Sequence, residues 1–205
     1  MRPLQRAILV HGLGRTPASM LVLAARLRRR GLRPALFGYS AAFEGYAHCV
    51  DRLVRFIDRK SEGAPFLVVG HSLGSVLLRS ALPRLQAAPR ACFFLAPPTK
   101  ACRIVRAVAP WGLFRLATGE MGQLLADPGF MEALPVPACP TRIYVGTGGP
   151  VGRWSPFGDE PNDGILAVSE TRLAGATVRT LDRIHTFLMN EAAIADEIRE
   201  AAAGA

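Results

Sequence analysis

Short runs of consecutive apolar residues recur along the chain, each followed by a longer stretch whose apolar positions repeat every three or four residues. AILV (Ala7–Val10), Arg33–Tyr39, FLVV (Phe66–Val69), ACFFL (Ala91–Leu95), RIYV (Arg142–Val145) and Thr177–Leu181 predict strands. Most of these runs are apolar throughout, the pattern of strands buried on both faces in a parallel sheet. Ser19–Arg30, Tyr46–Lys60, Leu73–Gln86 and Phe187–Ala203 predict helices. In the second, Val50, Leu53, Val54 and Ile57 fall at i, i+3, i+4 and i+7 and form one stripe. Right-handed crossovers would wind these elements into an α/β fold, a mostly parallel sheet of about six strands with helices on both faces.

The rhythm breaks between Pro97 and Pro140, where no strand is evident and prolines and glycines separate two apolar helical patches, Ile104–Leu116 and Met121–Met131. A coil of this length is unusual in a compact domain, so short helices laid over the strand ends are expected. The expected organisation is one domain over residues 1–205, with residues 97–140 as a small helical cap.

Composition narrows the classes. With 205 residues and half of them hydrophobic, the chain can bury one substantial core. The formal charge of +9 invites a polyanionic partner. Yet the positive charge is almost all arginine, and no basic block exceeds Arg28-Arg29-Arg30. Such scatter reads as a solvated surface, and no nucleic-acid partner is expected. Cys49, Cys92, Cys102 and Cys139 lack C-x-x-C spacing and read as free thiols in a reducing compartment, with no metal. MRPLQRAILVHG passes from a short basic start into a strand without a leader-like apolar segment, and no window approaches a membrane span. A cytoplasmic protein without stable membrane insertion, touching a membrane surface at most transiently, is the expectation.

Four patterns carry chemistry. In VVGHSLG, Ser72 follows an apolar strand and precedes a helical pattern, the context of a nucleophile elbow. A serine hydroxyl needs a base within reach, an acid to orient that base, and donors for the oxyanion. HGLGR (His11–Arg15) ends a buried strand in glycines, and its loop would lie beside the elbow, offering the Leu13 amide together with that of Leu73. His11 reads as a structural residue that holds this loop. In PFGDEPNDGIL, Asp159, Glu160 and Asp163 compete as the acid; Asp163 is preferred because Asn162-Asp163-Gly164 forms a tight turn. The clustered oxygens lack the spacing of a calcium loop. His185 follows the last strand, where a loop imidazole can reach over the strand ends; His48 lies in a helical pattern, and His71 can line the site but cannot easily deprotonate its neighbour. Serine, acid, histidine is the chain order of the α/β-hydrolase triad.

The chain thereby resembles the α/β-hydrolase superfamily over essentially its full length. HGLGRTP, GHSLG, PNDGILAVSETRL and IHTFLM are similar to the small bacterial esterase/lipase-like members. The resemblance implies Ser72 as nucleophile, Asp163 as acid, His185 as base, the amides of Leu13 and Leu73 as oxyanion donors, and no cofactor. It implies cleavage of a small-molecule carboxylic ester. Beside it, the residues themselves let Trp111 and Phe114 line an acyl-chain groove or simply pack the cap, and let His71 line the site. The same triad would serve a thioesterase or acyltransferase, or a silent binding protein of the same fold. Ser75 departs from the GHSLGG of many relatives, and the leading antiparallel hairpin of larger members is missing.

Overall fold

A computed structural model describes residues 5–204; the basic start at residues 1–4 lies outside them. Six strands form one sheet: β1 (Arg6–Val10), β2 (Arg33–Phe37), β3 (Phe66–His71), β4 (Cys92–Leu95), β5 (Thr141–Gly146) and β6 (Thr177–Leu181). Their order is β2-β1-β3-β4-β5-β6, and every pairing is parallel. The inner strands are the continuous apolar runs: β3 and β4 are buried at every position, and so is β1 after Arg6. Phe66, Phe93 and Phe94 are essentially without solvent contact, each contributing roughly 2–3 kcal/mol by leaving water. The edge strands β2 and β6 are largely exposed or half-buried, and β6 is correspondingly more polar.

From β1 the chain moves outward to β2, then back across β1 to β3 and on to β4. Crossovers of one hand in opposite directions put their helices on opposite faces. Accordingly α1 (Leu21–Arg29) packs with the C-terminal helix α7 (Ala192–Ala203), while α2 (Tyr46–Ser61) packs with α3 (Leu73–Ala81). The stripe on α2 is buried at Cys49, Val50, Leu53 and Ile57, with Val54 only partly so.

The helix bounds differ from the sequence pattern for local reasons. α3 stops at Ala81 instead of running to Gln86, because Pro83 turns the chain into a 3-10 segment, Leu82–Arg84. The pattern over Phe187–Ala203 resolves into a 3-10 segment, His185–Asn190, and α7, separated by the extended backbone of Glu191.

Residues 97–140 hold three helices, α4 (Arg103–Val108), α5 (Gly112–Leu124) and α6 (Pro128–Ala133). α5 is broken at Gly119, at φ 54° and ψ −148°, where a β-carbon would come within 2.6 Å of the Ala41 carbonyl oxygen. The Glu120 carboxylate accepts from the Tyr46 amide at 2.7 Å, tying α5 to the N-terminus of α2. Near the other end, the buried Arg79 guanidinium donates to the carbonyls of Leu134 and Pro135, at 2.6 and 3.0 Å. No helix among the described residues is long and apolar enough to cross a membrane.

Candidate active site

The strand order reverses between β1 and β3, and this switch point opens a crevice at their C-terminal ends, where open parallel sheets gather ligands. Ser72 stands there, between β3 and α3, at φ 50° and ψ −121°. A non-glycine residue in this region carries strain of about 1–3 kcal/mol. Its surroundings impose the conformation. The Ser72 amide donates to the Leu95 carbonyl at 2.9 Å. A β-carbon on Gly70 would lie 2.7 Å from the Ser75 amide nitrogen, and one on Gly74 would collide with the carbonyl oxygens of Val10 and His11. The hydroxyl does not cap α3, whose first amides, Leu73 among them, have no partner within the helix.

The loop after β1 touches this turn. A β-carbon on Gly12 would lie 2.9 Å from His71 Nδ1 and 3.1 Å from Ser72 Cβ, so the loop meets the elbow at Gly12, one residue before Leu13. His11 fixes the loop. Its ring stacks on Tyr39 at 4.2 Å, its Nδ1–H donates to the Gly12 carbonyl at 3.0 Å, and Nε2 accepts from the Tyr39 amide at 3.4 Å. Burial holds its pKa below the usual histidine value, so the neutral ring is the form that fits.

His185 opens the 3-10 segment after β6, with its Nδ1–H donating to Asp163 Oδ2 at 2.7 Å. That bond puts the ring proton on Nδ1 and leaves Nε2 as an acceptor. The His185 amide also donates to the Asp163 carbonyl, at 2.8 Å. Asp163 is 1% exposed, and its other oxygen, Oδ1, accepts from the amides of Ile165 and Leu166 at 2.9 and 2.7 Å. Asn162 shapes the turn, accepting from Gly164 and donating to the carbonyls of Pro150 and Glu160. Of the competing acids, Asp159 is exposed, and Glu160 is engaged by the Arg103 guanidinium at 3.2 Å and by the Ser169 amide. His48 also lies on the surface.

His71 ends β3 and is drawn inward. It is 1% exposed, and its Nε2–H donates to the His185 carbonyl at 3.1 Å. β3 runs on through Gly70 and His71, which carries this side chain under the strand end and leaves it to position the segment that bears His185. The rings of His71 and His185 are 4.9 Å apart. Burial, with His185 adding to it, holds the His71 pKa well below the ordinary value. Trp111 is 64% exposed on the cap, whereas Phe114 is half-buried against the core.

Sequence reasoning noticed Ser75 without its bond and missed Glu170. Ser75, fully buried, donates its hydroxyl to the Ser72 carbonyl at 2.6 Å. Glu170, also buried, accepts from the amides of Arg103 and Ala167 at 2.7 and 2.9 Å, while its carbonyl accepts from Thr99. It thus clamps the start of the cap to the loop that carries Asp163. Its one local signal is the spacing of Ala167 and Glu170, which permits a side chain to reach back to the first amide of a turn. Among the described residues, no three His, Cys, Asp or Glu side chains gather as a metal-ligand set.

A parallel sheet with a strained serine after its third strand, and an Asp-His pair on the loops after its fifth and sixth, is the arrangement of α/β hydrolases. The model of the alpha/beta hydrolase family matches residues 7–203, and the chain belongs to that family. No functionally curated protein matches it. Its fold is similar to a mature lipase of Bacillus licheniformis, with a TM-score of 0.72 and 17% identity over 93% of this chain and 88% of that one. It is also similar to a metagenomic carboxyl esterase, with a TM-score of 0.75 and 17% identity over 100% and 77% of the two chains. A thioesterase from the prodiginine pathway of Streptomyces coelicolor matches with a TM-score of 0.62 and 12% identity over 96% and 85%.

Proposed function

We propose that this protein is a serine hydrolase that cleaves small-molecule carboxylic esters through an acyl-enzyme on Ser72. The observation that carries the reading is the buried 2.7 Å contact of His185 Nδ1 with Asp163 Oδ2, on a segment anchored through His71 directly beside Ser72. With its proton on Nδ1, His185 presents Nε2 as the base that takes the Ser72 proton during attack on the ester carbonyl. Asp163 steadies the imidazolium that results. The amides of Leu13 and Leu73 hold the tetrahedral oxygen, supported by the dipole at the start of α3. His185 returns the proton to the leaving alcohol, and a water activated by the same nitrogen releases the acid.

Residues 97–140 act as the cap of a single domain, held by Glu170 on one side and Glu120 on the other. Trp111 is free to meet an acyl chain, while Phe114, on α5, packs the helix onto the core. The deciding experiment is labelling by a fluorophosphonate probe, together with turnover of matched p-nitrophenyl esters and thioesters. Stoichiometric modification of Ser72 and faster oxygen-ester turnover, both lost in Ser72→Ala, are expected. An unmodified serine would leave a binding protein of this fold, and a strong thioester preference would move the reading to a thioesterase.

A further inference from the structure

The end of the sheet opposite Ser72, where β4 and β5 begin, carries a second set of reactive groups. Cys92 opens β4, and Cys139 lies just before β5. The Cys92 amide donates to the Pro140 carbonyl at 2.9 Å, and Cys92 pairs in register with Thr141. The Thr141 hydroxyl in turn holds the Cys139 carbonyl at 2.9 Å. The sheet itself therefore sets the two thiols side by side, with their Sγ atoms 3.1 Å apart. Closing to a disulfide requires a further approach of about 1 Å.

The two thiols are not equivalent. Cys92 has no solvent exposure, whereas Cys139 is half-buried and borders two clefts of about 340 and 140 Å³. The contact between the two sulfurs lowers the Cys139 thiol below its ordinary pKa, and the same contact, with burial, pushes Cys92 up. The thiolate is the nucleophilic form of cysteine. Cys139 is thus suited to attack, and Cys92 to follow.

We propose that Cys139 and Cys92 form a peroxide-reactive dithiol that closes to a disulfide between the start of β4 and the entry to β5. The Cys139 thiolate attacks a hydroperoxide oxygen: an S–O bond forms, the O–O bond breaks, and the leaving oxygen takes a proton to become water or an alcohol. Cys92 sulfur then attacks Cys139 Sγ; the S–S bond forms, the S–O bond breaks, and a water leaves with the Cys92 proton. The two thiols are oxidised and the peroxide is reduced. The bond closes a loop that contains α4, α5 and α6, and joins both ends of a segment that Arg79 already holds at Leu134 and Pro135, close to Cys139. By strand rise the pair lies roughly 15–20 Å from Ser72, so its chemistry does not depend on the proposed hydrolytic function.

The test is intact-mass analysis of the full chain after treatment with hydrogen peroxide and alkylation of remaining thiols under denaturing conditions. The expected result is loss of about 2 Da with two alkylatable thiols remaining, a Cys92–Cys139 cross-linked peptide, and reversal by dithiothreitol. Oxidation should raise the melting temperature by about 5 °C or more through loop closure. Cys139→Ser should abolish the mass loss. Cys92→Ser should gain about 16 Da at Cys139 as a dimedone-reactive sulfenic acid; if that variant fails to fold, the wild type and Cys139→Ser still decide. Buried Cys49 and Cys102, each pushed up to about 12 by burial, serve as unreactive internal references. Four surviving thiols in the treated wild type, a cross-link between other cysteines, or the mass loss persisting in Cys139→Ser would overturn the proposal.

Discussion

The Ser75 hydroxyl donates to the carbonyl oxygen of Ser72 across 2.6 Å, inside a turn where Ser75 has no solvent exposure. The residue that follows GHSLG is therefore a brace on the strained elbow. Ser75→Ala removes a neutral, buried hydrogen bond and should lower the unfolding free energy by about 1 kcal/mol. If the brace also sets the direction of Ser72, kcat for p-nitrophenyl acetate should fall severalfold while KM changes little. Denaturant melts and steady-state kinetics on the purified variant measure both; reduced stability with unchanged kcat would leave Ser75 a packing role alone.

Strain at the elbow can be read separately from chemistry. Ser72 holds φ at 50°, a region glycine enters without a β-carbon penalty. Ser72→Gly should therefore be more stable than Ser72→Ala by about 1 kcal/mol, although both should lose ester turnover by orders of magnitude. Thermal melts of the two variants make the comparison. Equal stability would show that the neighbours relax around Ser72 and that little strain is stored there.

Asp163 combines a structural and an electrostatic role through different oxygens. Oδ1 satisfies the amides of Ile165 and Leu166, while Oδ2 holds His185. Asp163→Asn keeps an acceptor for the amides but offers His185 an NH2 group, favouring the wrong ring tautomer; kcat should fall about 10²- to 10⁴-fold with small stability loss. Asp163→Ala should cost in addition about 1–3 kcal/mol of stability, because buried amides lose their acceptor. Urea titrations beside ester kinetics separate the two effects. An asparagine variant as unstable as the alanine one would contradict the division of labour.

The strands were readable because inner parallel strands are buried on both faces, and the runs around Val68, Phe93 and Ile143 are apolar without interruption. Ser72, Asp163 and His185 could be nominated because each sits where a strand pattern ends. What the sequence hides is partnership across space. Nothing local tells that Ser75 reaches back to the Ser72 carbonyl, or that Glu170 clamps Arg103, since the second bond joins segments far apart in the chain. His71 shows the same limit: adjacency to Ser72 does not say where its ring goes, and the extension of β3 by two residues turns it inward. The helix ends near Pro83 and Glu191 depend on backbone breaks within otherwise helical spacing.

That inward histidine makes stability depend on pH. His71 and His11 are both 1% exposed, and burial lowers both pKa values in the folded chain. Unfolded, each titrates near the ordinary value of about 6.5. Above that pH both states are neutral and the folded stability is complete. As pH falls below it the unfolded chain binds protons that the fold excludes, so stability declines until the folded pKa values are reached. With one proton per histidine the slope approaches at most about 1.4 kcal/mol per pH unit for each. Urea unfolding at pH 7 and pH 5 should show the loss in the wild type. His71→Gln, whose amide can still donate to the His185 carbonyl, should show a smaller one. The carboxylates with lowered pKa values, Asp51, Glu160 and Asp196, lose their contribution only in more acidic solution, which keeps the two windows apart. Parallel pH dependence in the wild type and His71→Gln would mean that His71 takes up its proton within the fold, and its ring could not be the neutral anchor beneath His185.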